Sequence, residues 1–349
     1  MERFSIDESG YTGFDLLNRV QRFQGATAIS ISDEEARRLI AEHFPRLQAA
    51  ELKYGAVARR PKNRGRLVSL QKDLLANHKC VTYICDKRYL LILLFLDYAT
   101  EPWYYERGIN FYEDGQNYGM ASLLYYVGPA MLGQETFESI LAAFQLAIKE
   151  KTPAALNQLV LRVRSSNWEA ALPEALGPIA LASPECAKAI ATPEVSTDAA
   201  IVVLQSLISR LEIMSDGPYR IEHDQSKNLL QYNKLLRTLI DHEEVIEFAQ
   251  TKLARVKFPL KLEAVTQVDS KHCPSVQVAD VLVGGALEAA STLTGLRKME
   301  IDPQEVLSLY RDDQFIHLIP SLDFEEQKKF REGSQAAEVI DYFSKHFHK

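Results

Sequence analysis

Polar and apolar residues alternate through "FSIDESG", residues 4–10, where Phe4 and Ile6 stand either side of Ser5. A period of two marks a half-buried strand, and the pattern predicts one over 3–8. Residues 15–31 hold a further strand candidate or two. At 32–35 the sequence Ser-Asp-Glu-Glu supplies an N-cap with Glu35 three residues on, a capping-box pattern, and predicts a helix over 33–44 that stops at Pro45. "ELKYGAVA" (51–58) reads as a short strand or turn. Apolar residues at 67, 70, 74 and 75 have helical spacing, and "KCVTYICDK" (79–87) is rich in β-formers.

From about 100 to 215 the strand pattern stops and alanine and leucine dominate, with helices predicted over 135–150, 153–166 and 198–213. The alternation then resumes. A strand and turn cover 218–226, a helix 227–242, a strand 260–270, and a helix 274–293 with Pro274 near its start. The C-terminal part reads as helical. The fold class expected is α/β, a mixed sheet flanked by helices. Residues 1–100 and 216–300 would form a discontinuous core, 101–215 a large helical insertion, and 301–349 a C-terminal helical extension.

Composition adds limits. The 349 residues are 46% hydrophobic and 25% charged, ordinary for a globular chain. A net charge of −7 argues against non-specific coating of nucleic acid but leaves room for a local basic groove. The four cysteines, Cys80, Cys85, Cys186 and Cys273, form no CxxC pair, and reduced thiols in a cytoplasmic setting are expected. The N-terminus has no apolar signal-peptide core. The longest uninterrupted apolar run, 89–96, is too short to span a bilayer, so no membrane is expected.

Candidate chemistry concentrates on acids at polar breaks in apolar segments: Asp7 in "IDESG", Glu51 in "ELK", Asp224 in "EHDQS" and Asp280 in "VQVADVLVGG". Asp280 is the most unusual. Its helix has almost no polar face, and a lone carboxylate there is costly unless paired or bound to a cation. Gln277 lies three residues earlier on roughly the same side and Gly284 four later. An exposed Asp on an otherwise buried helix is the plain alternative. Glu8 adjoins Asp7 but points to the opposite face of the strand, and the pattern leaves open which face carries a site. Asp269 reads equally as a fifth acid or as a turn former with Ser270. Hard cations such as Mg²⁺ or Mn²⁺ take oxygen ligands, and carboxylates from separate elements can hold two such ions about 4 Å apart for phosphodiester hydrolysis.

Together, "FSIDESG", "ELKYG", "VTYICDK", the long helical insertion, "YRIEHDQS" and "VDSKHCPSVQVADVLVGGAL" resemble the bacterial and phage-associated family known as domain of unknown function 3800. The DESG opening and the Gln-x-Ala-Asp helix are the most specific parts. The resemblance runs from about residue 3 to 100 and from about 218 to 295. It implies a divergent ribonuclease H-like fold with a metal site. Asp7 would be the first-strand acid, Glu51 the second, Asp224 the strand-end acid and Asp280 the helix acid. It also implies that Lys53 sits beside the site, with Lys87 after Asp86 a further candidate.

The run 53–72 holds Lys53, Arg59, Arg60, Lys62, Arg64, Arg66 and Lys72 with no acid, which suits a phosphate backbone or a plain solvated loop. Aromatic residues at 103, 104, 105, 111, 112 and 118 suit base stacking, or the packing of a helix junction or partner surface. His223 could donate a proton beside Asp224, or face away from it along the strand. The chain carries no GxxxxGK[ST] loop, GxSxG elbow or HExxH helix. The function expected is a Mg²⁺- or Mn²⁺-dependent nuclease acting on DNA or RNA, in genome defence or mobile elements. In it Lys53 would steady a phosphate oxygen. The alternative is a non-catalytic module that binds a protein partner or dimerises through the helical insertion.

Overall fold

A computed structural model of the protein describes residues 1–193, 195–225, 232–249, 251, 254–297 and 302–347. Six strands form its main sheet: β1 (Glu2–Ser9), β2 (Phe23–Ser30), β3 (Lys79–Asp86), β4 (Tyr219–Asp224), β7 (Leu262–Val268) and β8 (Phe315–Leu318). Their order is β7-β4-β1-β2-β3-β8. β1, β2 and β3 are an antiparallel meander, whereas β4 runs parallel to β1, β7 parallel to β4, and β8 parallel to β3. A separate hairpin pairs β5 (Ile246–Ala249) with β6 (Arg255–Phe258). The architecture is α/β, a mixed sheet with helices on both faces.

The predicted strands and helices fall mostly where the pattern puts them; the Lys87–Ala99 helix is an element it does not predict. The segment 51–58, read as a short strand or turn, takes the turn alternative: Glu51–Lys53 are irregular and Tyr54–Val57 is a single helical turn. The C-terminal segment 301–349, expected to be helical throughout, also supplies edge strand β8. The β5–β6 hairpin was not expected at all; its strands have four residues each, too short to show a period. The Ser226 turn and the start of the helix expected over 227–242 lie outside the described residues, which resume into a helix at Asn233–Ile240.

Each face of the sheet collects alternate residues of the strands. Phe4 and Ile6 of β1, Ala26 and Ala28 of β2, Val81, Tyr83 and Cys85 of β3, and Tyr219 and Ile221 of β4 share one apolar cluster with the helices between Lys87 and Met214. The segment read as an insertion therefore shares its core with the sheet. Trp103, Tyr104, Phe111 and Tyr118 belong to this layer, with Tyr104 stacked on Phe111 at 5.3 Å, whereas Tyr105 is exposed.

The other face carries the Pro274–Leu293 helix, packed on β1 and β2 and flanked by the Asp33–His43 and Arg64–Asn77 helices. Ser32 caps the Asp33–His43 helix, accepting from the Glu35 N–H. The Pro274–Leu293 helix is long and apolar enough to cross a bilayer, but most of it is buried against the sheet. Its glycine pair lets the Tyr54 turn and the Arg64–Asn77 helix pack closely against it. A Cβ on Gly284 would lie 2.4 Å from Cγ of Tyr54, and one on Gly285 would lie 1.9 Å from Nε2 of Gln71.

Candidate functional site

The face of β1 opposite Phe4 and Ile6 carries Ser5 and Asp7, and it faces the Pro274–Leu293 helix, where Ser5 Oγ donates to Ser275 Oγ at 2.8 Å. Ile6 pairs with His223 in the parallel register, so Asp7 and Asp224 follow side by side on neighbouring strands. Glu51 arrives from the irregular stretch before Tyr54. Lys53 reaches among all three. Its Nζ lies 3.6 Å from Asp224 Oδ2, 3.9 Å from Asp7 Oδ2 and 3.9 Å from Glu51 Oε2. Asp280 adjoins them: its Oδ2 accepts the Tyr54 N–H at 2.5 Å, one residue beyond Lys53.

Two residues position the Glu51–Tyr54 stretch. Gln277 Oε1 accepts the Leu52 N–H at 2.8 Å while its Nε2 donates to the Ser270 carbonyl at 2.6 Å. Gln277 thus clamps the loop to the end of β7. Ser270 then bridges two of the acids, its Oγ donating to Glu51 Oε2 at 2.9 Å and its N–H to Asp224 Oδ1 at 3.1 Å. In the sequence Ser270 reads only as a turn residue beside Asp269; a hydroxyl next to a strand-end acid is its one signal.

Burial and mutual repulsion act on the charges. Asp7 is 7% exposed. Its burial, then the nearby Asp280 and Asp224, hold its carboxyl well above the usual range, against the opposing pull of Lys53 and the Glu8 N–H. Burial likewise raises Asp280, opposed by the Tyr54 N–H and Lys53. Burial by itself would lower the Lys53 ammonium, but Asp7, Asp280, Glu51 and Asp224 together lift it. Four carboxylates surround one ammonium, so when all are ionised the pocket keeps an excess of negative charge.

Other candidates lie elsewhere. Asp269 is exposed and accepts the Lys271 N–H, the turn-forming alternative. His223 is buried on the opposite face of β4 from Asp224, its Nδ1 set 2.7 Å from the Asp224 carbonyl, and Glu8 lies on its side of the sheet. Lys87 does not approach the acids. Fully buried, it donates to the Gly10 carbonyl at 2.8 Å and to Thr12 Oγ1 at 2.7 Å, and burial lowers its ammonium to about 8. Arg59, Arg60, Lys62 and Arg66 are exposed and Arg64 is half-buried.

The donor set suits a hard cation, since every charged group facing Lys53 is a carboxylate. As folded here, Lys53 stands between them, and among the described residues no three His, Cys, Asp or Glu side chains are drawn together closely enough to hold an ion. Compared with protein-family models, curated proteins and solved structures, the chain matches none of them.

Proposed function

We propose that the protein is a divalent-metal-dependent nuclease, hydrolysing phosphodiester bonds of DNA or RNA at the pocket of Asp7, Glu51, Asp224 and Asp280. The observation that carries this reading is the position of Lys53 Nζ, within 3.9 Å of carboxylates from three separate segments. A chain gathers that much like charge in a half-buried place for a cation, because unpaired buried charge is otherwise strongly unfavourable. Mg²⁺ or Mn²⁺ bound there would activate water and stabilise the leaving oxygen. The four carboxylates would hold it, Gln277 and Ser270 would keep Glu51 and Asp224 in register, and Lys53, displaced from the centre, would pair with a phosphate oxygen.

A three-strand antiparallel meander followed by two parallel strands, β3-β2-β1-β4-β7, supports a ribonuclease H-like fold. So do acids on the first strand, on the strand parallel to it and on the helix covering them. The likeness to the domain of unknown function 3800 rests on the quoted motifs and is part of the same proposal, with its setting in genome defence or mobile elements. Free cysteines, three of them buried, fit a reducing cytoplasm.

The test is cleavage of plasmid, single-stranded DNA and RNA with Mg²⁺ or Mn²⁺ by wild type and Asp7→Ala. Metal-dependent cleavage lost in the variant supports the proposal. One observation favours the second reading, an interaction module: Leu123, Tyr126, Met131 and Leu146 are exposed on the helices 116–150. No cleavage with either metal, together with a stable dimer or protein complex, would select it.

A further inference from the structure

A cleft of about 350 Å³ opens beside the carboxylate pocket, and Tyr54 and Asp280 line both. It lies between the end of β1, the entry to β2, the Tyr54–Arg59 turn and the second half of the Pro274–Leu293 helix. Its charge is the reverse of the pocket's. Arg22, Arg59, Arg64 and Arg297 line it, and of its two acids Asp280 belongs to the pocket and Glu288 is taken by the Tyr54 hydroxyl. Arg22 is committed to Asp86 at 2.8 Å. Arg59 and Arg297 are exposed and, among the described residues, form no ion pair. Phe23, Leu287 and Leu296 give the cleft an apolar wall.

We propose that this cleft receives one unpaired nucleotide of a single-stranded nucleic acid, with its flanking phosphates on Arg59 and Arg297. This rests on the nuclease reading and names its substrate class. Three properties point there. The volume is at the small end of the roughly 300–1,000 Å³ of ligand clefts, room for one nucleotide but not for both members of a base pair. Two accessible guanidiniums from separate segments, Arg59 and Arg297, match phosphate oxygens, which Arg pairs in bidentate fashion. The apolar wall offers a base a surface to lie against. Because Asp280 lines both the cleft and the pocket, a strand seated in the cleft brings its next phosphate toward the carboxylates.

The test measures fluorescence anisotropy of labelled oligothymidylate, oligouridylate and a duplex of equal length, with and without Ca²⁺, across a salt series. The proteins are wild type and Arg59→Ala/Arg297→Ala. The expected result is preference for single strands. The double variant should lose at least tenfold in affinity, and its log–log salt slope should fall by about 1.4, the loss of two phosphate contacts to a single strand. Its Mn²⁺-induced rise in melting temperature should stay as in wild type, since both side chains are exposed and outside the pocket. Equal duplex and single-strand binding, or affinity and slope unchanged in the variant, overturns the proposal. So does a lack of arginine-dependent binding under either condition. If Mn²⁺ gives no rise in melting temperature while arginine-dependent binding persists, the cleft stands and the metal reading falls.

Discussion

Tyr54 donates its backbone N–H to Asp280 at 2.5 Å, and its ring lies where a Cβ on Gly284 would be. One turn of the Pro274–Leu293 helix therefore fixes both the side chain and the backbone of Tyr54. That contact sets the end of the Glu51–Tyr54 stretch, while Gln277 and Ser270 hold Leu52 and Glu51. Substituting Gly284→Ala forces the ring or the helix to move. It is expected to destabilise the protein by about 1–3 kcal/mol in urea unfolding and to lower metal-dependent cleavage further than the stability loss explains.

Lys53→Met keeps the side-chain stem and removes the charge. Without divalent metal the variant should lose about 1–2 kcal/mol, less than for a fully buried ion pair because Lys53 is 35% exposed. Added Mn²⁺ should raise its melting temperature more than it raises that of wild type, since the ion no longer displaces an ammonium. An equal or smaller rise would show that Lys53 and the metal do not share a place.

Asp7→Asn should stabilise the metal-free protein at neutral pH while abolishing cleavage. The amide keeps the acceptor for the Glu8 N–H and removes a charge that burial and Asp280 disfavour. Thermal melts of the two proteins in EDTA give the comparison. A lower melting temperature for the variant would contradict this account of the pocket.

Asp7 and Asp280 both bind a proton more tightly in the folded chain than in the unfolded one, where the ordinary value is 3.8. Their ionised forms therefore penalise the folded state above the raised values. That penalty fades as the pH falls through those values toward 3.8. The stability advantage of Asp7→Asn over wild type should shrink accordingly as the pH is lowered from 8. Metal works in the opposite sense, because protons compete for the same oxygens. The Mn²⁺-induced rise in melting temperature should be larger at pH 8 than at pH 6.

The sheet and the acids were legible in the sequence to different degrees. Strand β1 alternates through Phe4–Asp7, β3 is rich in β-formers, and the Pro274–Leu293 helix shows a carboxylate at Asp280 amid apolar neighbours. Those signals are local, so they survive reading along the chain. The Glu51–Lys53 stretch is held by Gln277 and Ser270, which come from far along the chain, and no local pattern records such a clamp. Strand β8 has four residues at a sheet edge, three half-covered and one exposed, so it carries little alternation. The basic run at 59–66 reads as one patch. In the fold only Arg59 and Arg64 reach the cleft, where Arg22 and Arg297 join them from other segments.

The most direct measurement of the central claim is anomalous diffraction from crystals soaked in Mn²⁺. The expected map has manganese density among Asp7, Glu51, Asp224 and Asp280, with the Lys53 ammonium moved out of the centre. A map with no density there, and Lys53 still between the carboxylates, would contradict the metal site and the nuclease reading built on it.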